Sequence, residues 1–281
     1  MKTKKKVTKK TLSKKISKKK VSKKVTVKKP VKKITKIISK PKNLKSKKIE
    51  KVGSGIPGLD KIIGGGFEKD STNLIVGGTG SGKSILGIQF LLEGVKKGET
   101  CLYITFEEEK KSFYRNMMGL GWDLEKLEKE GKFFFLQYTP EKVKTMLEEG
   151  GGAIEGLVLR KKISRIVMDS VSSFILLFGE DIRKRTAALS LFTMLRKWAC
   201  TTLLTYEGEA SRKKKLTSSI LEFESDSIIL LYFLRGKKER ERYLEVLKMR
   251  GTDHSTKVYG FDIKKGGVNV SNRIYSGNLN N

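Results

Sequence analysis

Eight consecutive residues, Gly77-Gly78-Thr79-Gly80-Ser81-Gly82-Lys83-Ser84, carry the strongest chemical signal in the chain. They fit G-x-x-x-x-G-K-[ST], a loop whose backbone N–H groups cradle phosphates. Glycine lets those groups turn inward around an anion, and the N-terminus of the helix that follows adds a positive dipole end. Lys83 is expected to reach the outer phosphates and the Ser84 hydroxyl to hold Mg²⁺. The flanks suit the motif: Leu74-Ile75-Val76 reads as a strand and Ile85 to Leu92 as a helix.

Three further groups suit phosphoryl chemistry. Asp169 ends the apolar run Arg165 to Asp169, where an open α/β sheet places its ligands. A carboxylate there can hold Mg²⁺ through water opposite Ser84, although a turn or cap is the plainer role for such a residue. Glu107 and Glu108 follow the strand-like run Thr100 to Phe106. Attack by water needs a group that orients or deprotonates it. Glu107 is the expected base and Glu108 its support. Neighbouring side chains on a regular strand face opposite ways, so both share one site only if the backbone bends. A solvated acidic run at a helix start is the alternative. Lys248 and Arg250, two apart on a predicted strand, project from one face while Met249 takes the other. Two cations aimed together suit a polyphosphate, and a charged sheet edge is the alternative. His254 is the sole histidine.

The elements that must position these groups alternate. Strands are expected at Thr100–Phe106, Phe133–Leu136, Arg165–Asp169 and Thr202–Tyr206. Helices are expected at Lys110–Met118, Asp123–Glu130, Glu141–Glu149 and Arg183–Trp198, with Asp123 as a cap and Gly150-Gly151-Gly152 as a stop. Such alternation implies βαβ units around a largely parallel sheet. Ile228–Phe233, Tyr243–Met249, Val258–Ile263 and Val268–Val270 read as strands joined by short turns, which gives the sheet an antiparallel edge. The fold class is therefore α/β, with helices flanking a mostly parallel sheet and antiparallel C-terminal strands.

Charge divides the 281 residues unevenly. Of 61 lysines and arginines, 23 fall in residues 1–49, all lysine and with no acid among them. The rest holds 38 basic and 30 acidic residues, or +8 of the net +31. Ordering a backbone costs about 1–2 kcal/mol per residue, more than the scattered Val and Ile of this stretch can return. Residues 1–48 are thus read as a disordered lysine-rich tail, and 49–281 as the folded domain. Such a tail is either an electrostatic arm for DNA, RNA or another polyanion, or a solvated extension. Cys101 and Cys200 lie in or beside apolar runs and are expected to be small core residues. No signal peptide pattern and no run of 18 or more apolar residues is present, so the expected location is the cytoplasm, with the nucleoid a further candidate.

Ser54 to Ser84, Thr105-Phe106-Glu107-Glu108, Gly121-Trp122-Asp123-Leu124, Met168-Asp169-Ser170 and Lys248-Met249-Arg250-Gly251-Thr252 together resemble the KaiC family of RecA-like ATPases. The resemblance spans about residues 49 to 272 and leaves the tail outside. It implies a RecA-like P-loop fold and a hexameric ring with ATP between subunits. The implied nucleotide contacts are Gly78, Thr79, Gly80, Ser81, Gly82, Lys83, Ser84 and Ile85, with Lys248, Met249, Arg250, Thr252 and His254. It further implies that Glu107 and Glu108 act on the attacking water and that Lys248 and Arg250 serve a neighbour's site in trans. Three departures stand out. There is one domain, where the circadian-clock member has two. Glu222-Phe223 occupies the place of that protein's phosphorylated Ser-Thr pair, although Ser218, Ser219 and Ser225 lie nearby. Lys265 stands where an Asp is common. RecA-like rings also turn the segment after Tyr206 toward a central channel. Here it holds Arg212, Lys213, Lys214 and Lys215, which suit a nucleic acid backbone or simply solvent. The expected function is Mg²⁺-dependent ATP hydrolysis by a ring homo-oligomer. The alternatives are a DNA- or RNA-binding protein whose ATP state controls ring assembly, and a signalling autokinase.

Overall fold

The computed structural model describes residues 49–179, 181–208, 219–236 and 239–277. The strands are β1 (Lys51–Val52), β2 (Phe67–Glu68), β3 (Thr72–Gly77), β4 (Thr100–Thr105), β5 (Phe133–Gln137), β6 (Ile163–Asp169), β7 (Thr201–Glu207), β8 (Ser227–Arg235), β9 (Arg240–Met249), β10 (Val258–Lys264) and β11 (Gly267–Ile274). The helices are α1 (Leu59–Ile62), α2 (Lys83–Lys96), α3 (Lys110–Gly119), α4 (Leu124–Lys129), α5 (Pro140–Glu148), α6 (Gly152–Lys161), α7 (Val171–Leu176), α8 (Asp181–Trp198) and α9 (Ser219–Glu224).

Nine strands form one sheet in the order β11-β10-β9-β8-β3-β7-β6-β4-β5. From β8 to β5 every pairing is parallel, and from β8 to β11 every pairing is antiparallel. The strand expected at Ile228–Phe233 thus belongs to the parallel part, beside β3, and the antiparallel edge begins one strand later. β3, with all six residues buried, sits mid-sheet.

The core lies on both faces, as a sheet covered on two sides requires. Leu74, Leu102, Ile104, Ile166 and Met168 face a layer containing Ile154, Val158, Phe174 and Leu191 of α6, α7 and α8. Ile75, Tyr103, Val167 and Leu203 face Leu86, Phe90, Phe113 and Leu124 of α2, α3 and α4. Asp123 caps α4 as expected, accepting from the Lys126 N–H at 2.9 Å. The triple glycine does not merely stop a helix. Gly150 and Gly151 turn the chain at φ 68° and 102°, and Gly152 opens α6, which the sequence reading lacks. Cys101 and Cys200 are buried and unpaired, and burial pushes both thiols up to about 12, so they are inert core residues. No described helix is long and apolar enough to cross a membrane.

Candidate nucleotide site

β3 delivers Gly77 to its carboxyl end, and α2 begins at Lys83. At Gly77 and Gly82 there is no space for a side chain. A Cβ on Gly77 would stand 2.5 Å from Ser81 Oγ and 2.7 Å from the Leu231 carbonyl, and one on Gly82 would stand 2.7 Å from Ile263 Cδ1. Gly80 and Gly82 also have φ of 75° and 100°, where other residues are strained. Lys83 folds back, its Nζ donating to the carbonyls of Gly77 (2.9 Å) and Gly78 (3.1 Å). Burial holds its ammonium below the usual pKa, against the charges of Glu207, Asp169 and Glu107. The Ser81 hydroxyl is buried and has no partner among the described residues. Thr79 Oγ1 donates to Glu207 at 2.8 Å.

Asp169 ends β6 at 9% exposure, two strands from the loop, with β7 between. The buried Tyr103 hydroxyl donates to its Oδ2 at 2.6 Å, and Thr205 donates to its Oδ1. Burial, then the Asp169 charge, keeps that phenol protonated, well above its ordinary pKa. The chain bends after β4, where the Glu107 and Glu108 N–H groups both donate to Thr105 Oγ1, at 3.3 and 3.2 Å. This turn lets both glutamates face the loop. Glu107 accepts from Ser173 and is close enough to Lys83 to raise its pKa. Glu108 is half-buried, and burial, then Asp169, then Glu107 raise its pKa. The acids and the loop thus share one end of the sheet.

Lys248 and Arg250 lie at the other end. Met249 pairs with Ser227, which in turn pairs with Asn73 near the start of β3, whereas Gly77 pairs with Leu231. Lys248 Nζ donates to the carbonyls of Glu222 (2.8 Å), Phe223 (3.2 Å) and Ser225 (2.7 Å). Arg250 donates to the Phe223 carbonyl and to Asp226. Met249 packs into the core, so the pair does project from one face. Burial, then Arg250, lowers the Lys248 pKa. Thr252 accepts from Lys51 Nζ at 2.5 Å, and the N–H of Ser255, next to His254, donates to the Ile62 carbonyl. Both segments are remote from the loop of the same chain.

The sequence reading omitted three residues at the loop end: Tyr103, Glu207 and Arg242. Arg242 donates from Nε to the Gly80 carbonyl at 3.2 Å and stacks over Phe233, 4.4 Å from the ring centre. Its signal was hidden in the charged run Arg240-Glu241-Arg242. Lys265 lies on the β10–β11 turn, where Gly266 N–H donates to the Leu120 carbonyl. The lysine-rich tail, residues 1–48, and the basic segment Arg212 to Lys215 lie outside the described residues.

A family profile described as the KaiC ATPase matches residues 52–274. This chain belongs to the KaiC ATPase family. The circadian clock protein KaiC3 of Synechocystis is 35% identical over 232 residues, a match covering 78% of this chain and 45% of that protein. The circadian clock oscillator protein KaiC of Synechococcus elongatus is 31% identical over 241 residues, covering 81% and 45%. The chain therefore spans about half the length of these KaiC relatives. A KaiC-like protein from the hyperthermophilic archaeon Pyrococcus horikoshii, known by crystal structure, superposes with a TM-score of 0.71 at 36% identity, covering 79% of this chain and 99% of that one. The fold is the RecA-like α/β fold of KaiC proteins.

Proposed function

We propose that this protein is a Mg²⁺-dependent ATPase that works as a ring homo-oligomer, six subunits by analogy with its family, with each active site shared between neighbours. The observation that carries this reading is the separation of the cations from the loop. Lys248 and Arg250 sit at the end of the sheet opposite Gly77–Ser84, so they complete a phosphate site only on another copy of the chain. Phe223, 71% exposed beside them, supports contact with a neighbour there.

The residues present fit a magnesium nucleotide. Burying the unpartnered Ser81 hydroxyl is costly until an acceptor arrives, and glycines leave the loop open to phosphate oxygens. Among the described residues no group of three carboxylate, histidine or cysteine side chains forms a metal cage. A small hard cation can be held by one hydroxyl, one carboxylate, phosphates and water. Ser84 and Asp169 are its proposed protein ligands. When bound, the ion neutralises charge on the outer phosphates.

The chain's own groups do the rest. Lys83 exchanges the Gly77 and Gly78 carbonyls for phosphate oxygens, and Arg242 stands ready beside Gly80 in cis. Glu107 takes a proton from the attacking water, with Glu108 holding the water's orientation. Arg250 and Lys248 of the neighbour meet the charge that develops on the transferred phosphoryl group. Steady-state hydrolysis by size-fractionated protein tests the reading. Activity should be confined to the ring fraction and fall about 10³–10⁵-fold in Arg250→Ala. An active monomer would overturn it.

The lysine tail favours a second, compatible property. Its 23 lysines within 49 residues suit salt-sensitive, sequence-blind attachment to a polyanion such as DNA or RNA.

A further inference from the structure

The phenol at position 103 has an unusual place for so large a polar group. It is fully buried, and its ring stacks on Phe113 (4.7 Å between centres) and Phe135 (5.7 Å), which also touch each other. Its hydroxyl points away from this stack toward the loop end of the sheet. The register explains how it gets there. Tyr103 pairs with Val167, and Asp169 lies two residues further along the same strand, so all three side chains share one face. α2 crosses that face closely: a Cβ on Gly87 would stand 3.0 Å from Val167 Cγ1. The missing side chain lets the helix settle on β6. Ser84 lies one turn earlier on the same helix.

We propose that Tyr103 is a positioning residue for the magnesium site, a buried hydroxyl that donates to Asp169 and holds that carboxylate in place. The proposal rests on the assignment of Ser84 and Asp169 as metal ligands. Tyr103 and Thr205 hold one carboxylate oxygen each. Asp169 is fixed in plane, with its remaining lone pairs free for a metal-bound water. Partners of this kind typically set metal affinity by 10–100-fold.

Tyr103→Phe removes the hydroxyl and keeps the aromatic stack. The test is binding of a fluorescent ATP analogue to full-length protein, titrated with Mg²⁺ and repeated in EDTA. The variant should bind the analogue as wild type does in EDTA and need about 10-fold more Mg²⁺ for half of the metal-dependent change. Asp169→Asn serves as the reference and should shift the same midpoint. Adding Tyr103→Phe to Asp169→Asn should shift it no further, because the phenol acts through that carboxylate. A wild-type midpoint in Tyr103→Phe beside a shifted Asp169→Asn would overturn the positioning role and spare the metal assignment. An unmoved midpoint in Asp169→Asn would overturn both. Equal loss of binding with and without Mg²⁺ in Tyr103→Phe would mean a structural role and would also overturn the proposal.

Discussion

Subunits bearing Lys83→Ala and subunits bearing Arg250→Ala would each lack one half of the proposed site, and mixing them separates a shared site from a self-contained one. Asn73, opposite Ser227 and hence level with Met249, lies four residues before Gly77 on β3. That is about 13 Å of strand, and two strand spacings add about 10 Å sideways. The Met249 backbone therefore stands roughly 16 Å from Gly77. Lys248 and Arg250 are drawn further off by the carbonyls of α9. Neither side chain spans that gap to its own loop. Alone, the Lys83 variant should fail to bind nucleotide, and the Arg250 variant should hydrolyse about 10³–10⁵-fold more slowly than wild type. In randomly mixed rings, about one interface in four joins an intact loop to an intact cation pair, so the rate should recover to about a quarter of wild type. The assay is phosphate release from rings dissociated, mixed at equal amounts and reassembled, with two affinity tags to prove mixing. Proven mixed rings that recover no activity would refute the shared site.

Glu108→Gln removes a carboxylate that burial, Asp169 and Glu107 raise above 4.5. Such a group favours the folded state below its unfolded pKa and loses that contribution as pH rises through its folded value. The variant should therefore melt higher than wild type near neutrality, with the gap closing below pH 4.5, while hydrolysis falls about 10²-fold. A gap that persists in acid would count against this account of Glu108. Arg165→Met strands Glu99 and the carbonyls of Gly53 and Phe90, all held by a guanidinium that is 1% exposed. Urea denaturation should show a loss of about 3–5 kcal/mol, and a loss below about 1 kcal/mol would place this ion pair with exposed ones. Deleting residues 1–47 should leave hydrolysis unchanged and remove most DNA binding. Equal affinity and an equal salt slope in the truncated protein would clear the tail of that role.

The loop, the strand before it and the helix after it were legible because their signal is local: glycines, a lysine and a hydroxyl at fixed spacing within one turn. Asp169 was legible for a related reason, as a lone acid ending an apolar run. Tyr103 was not. Within Thr100 to Phe106 it reads as another apolar strand residue, and only the register of β4 on β6 puts its hydroxyl on Asp169. Arg242 was lost in a charged run for the same reason, since its place beside Gly80 depends on the pairing of β9 with β8. Ile228 to Phe233 was recognised as a strand, but its partner was not. Its parallel pairing with β3 is made possible by the preceding chain, including α9, which returns it to the near end of the sheet. α6 was missed because three glycines in a row mimic a simple stop. Two of them turn the chain, and the third starts the next helix.

The cations proposed to serve a neighbour are already engaged within their own chain. Lys248 and Arg250 grip the carbonyl end of α9, where a helix gathers partial negative charge. Those carbonyls act as an internal substitute for phosphate. On the proposed shared site, a nucleotide on the next subunit competes with them, and a cation that swings across leaves α9 with unsatisfied acceptors. The N-terminal end of α9 joins, through residues 209–218, to the end of β7, whose Glu207 holds Thr79 of the phosphate loop. On the proposed shared site, the chain thus runs from a residue that holds its own phosphate loop to the helix that holds the cations for its neighbour's.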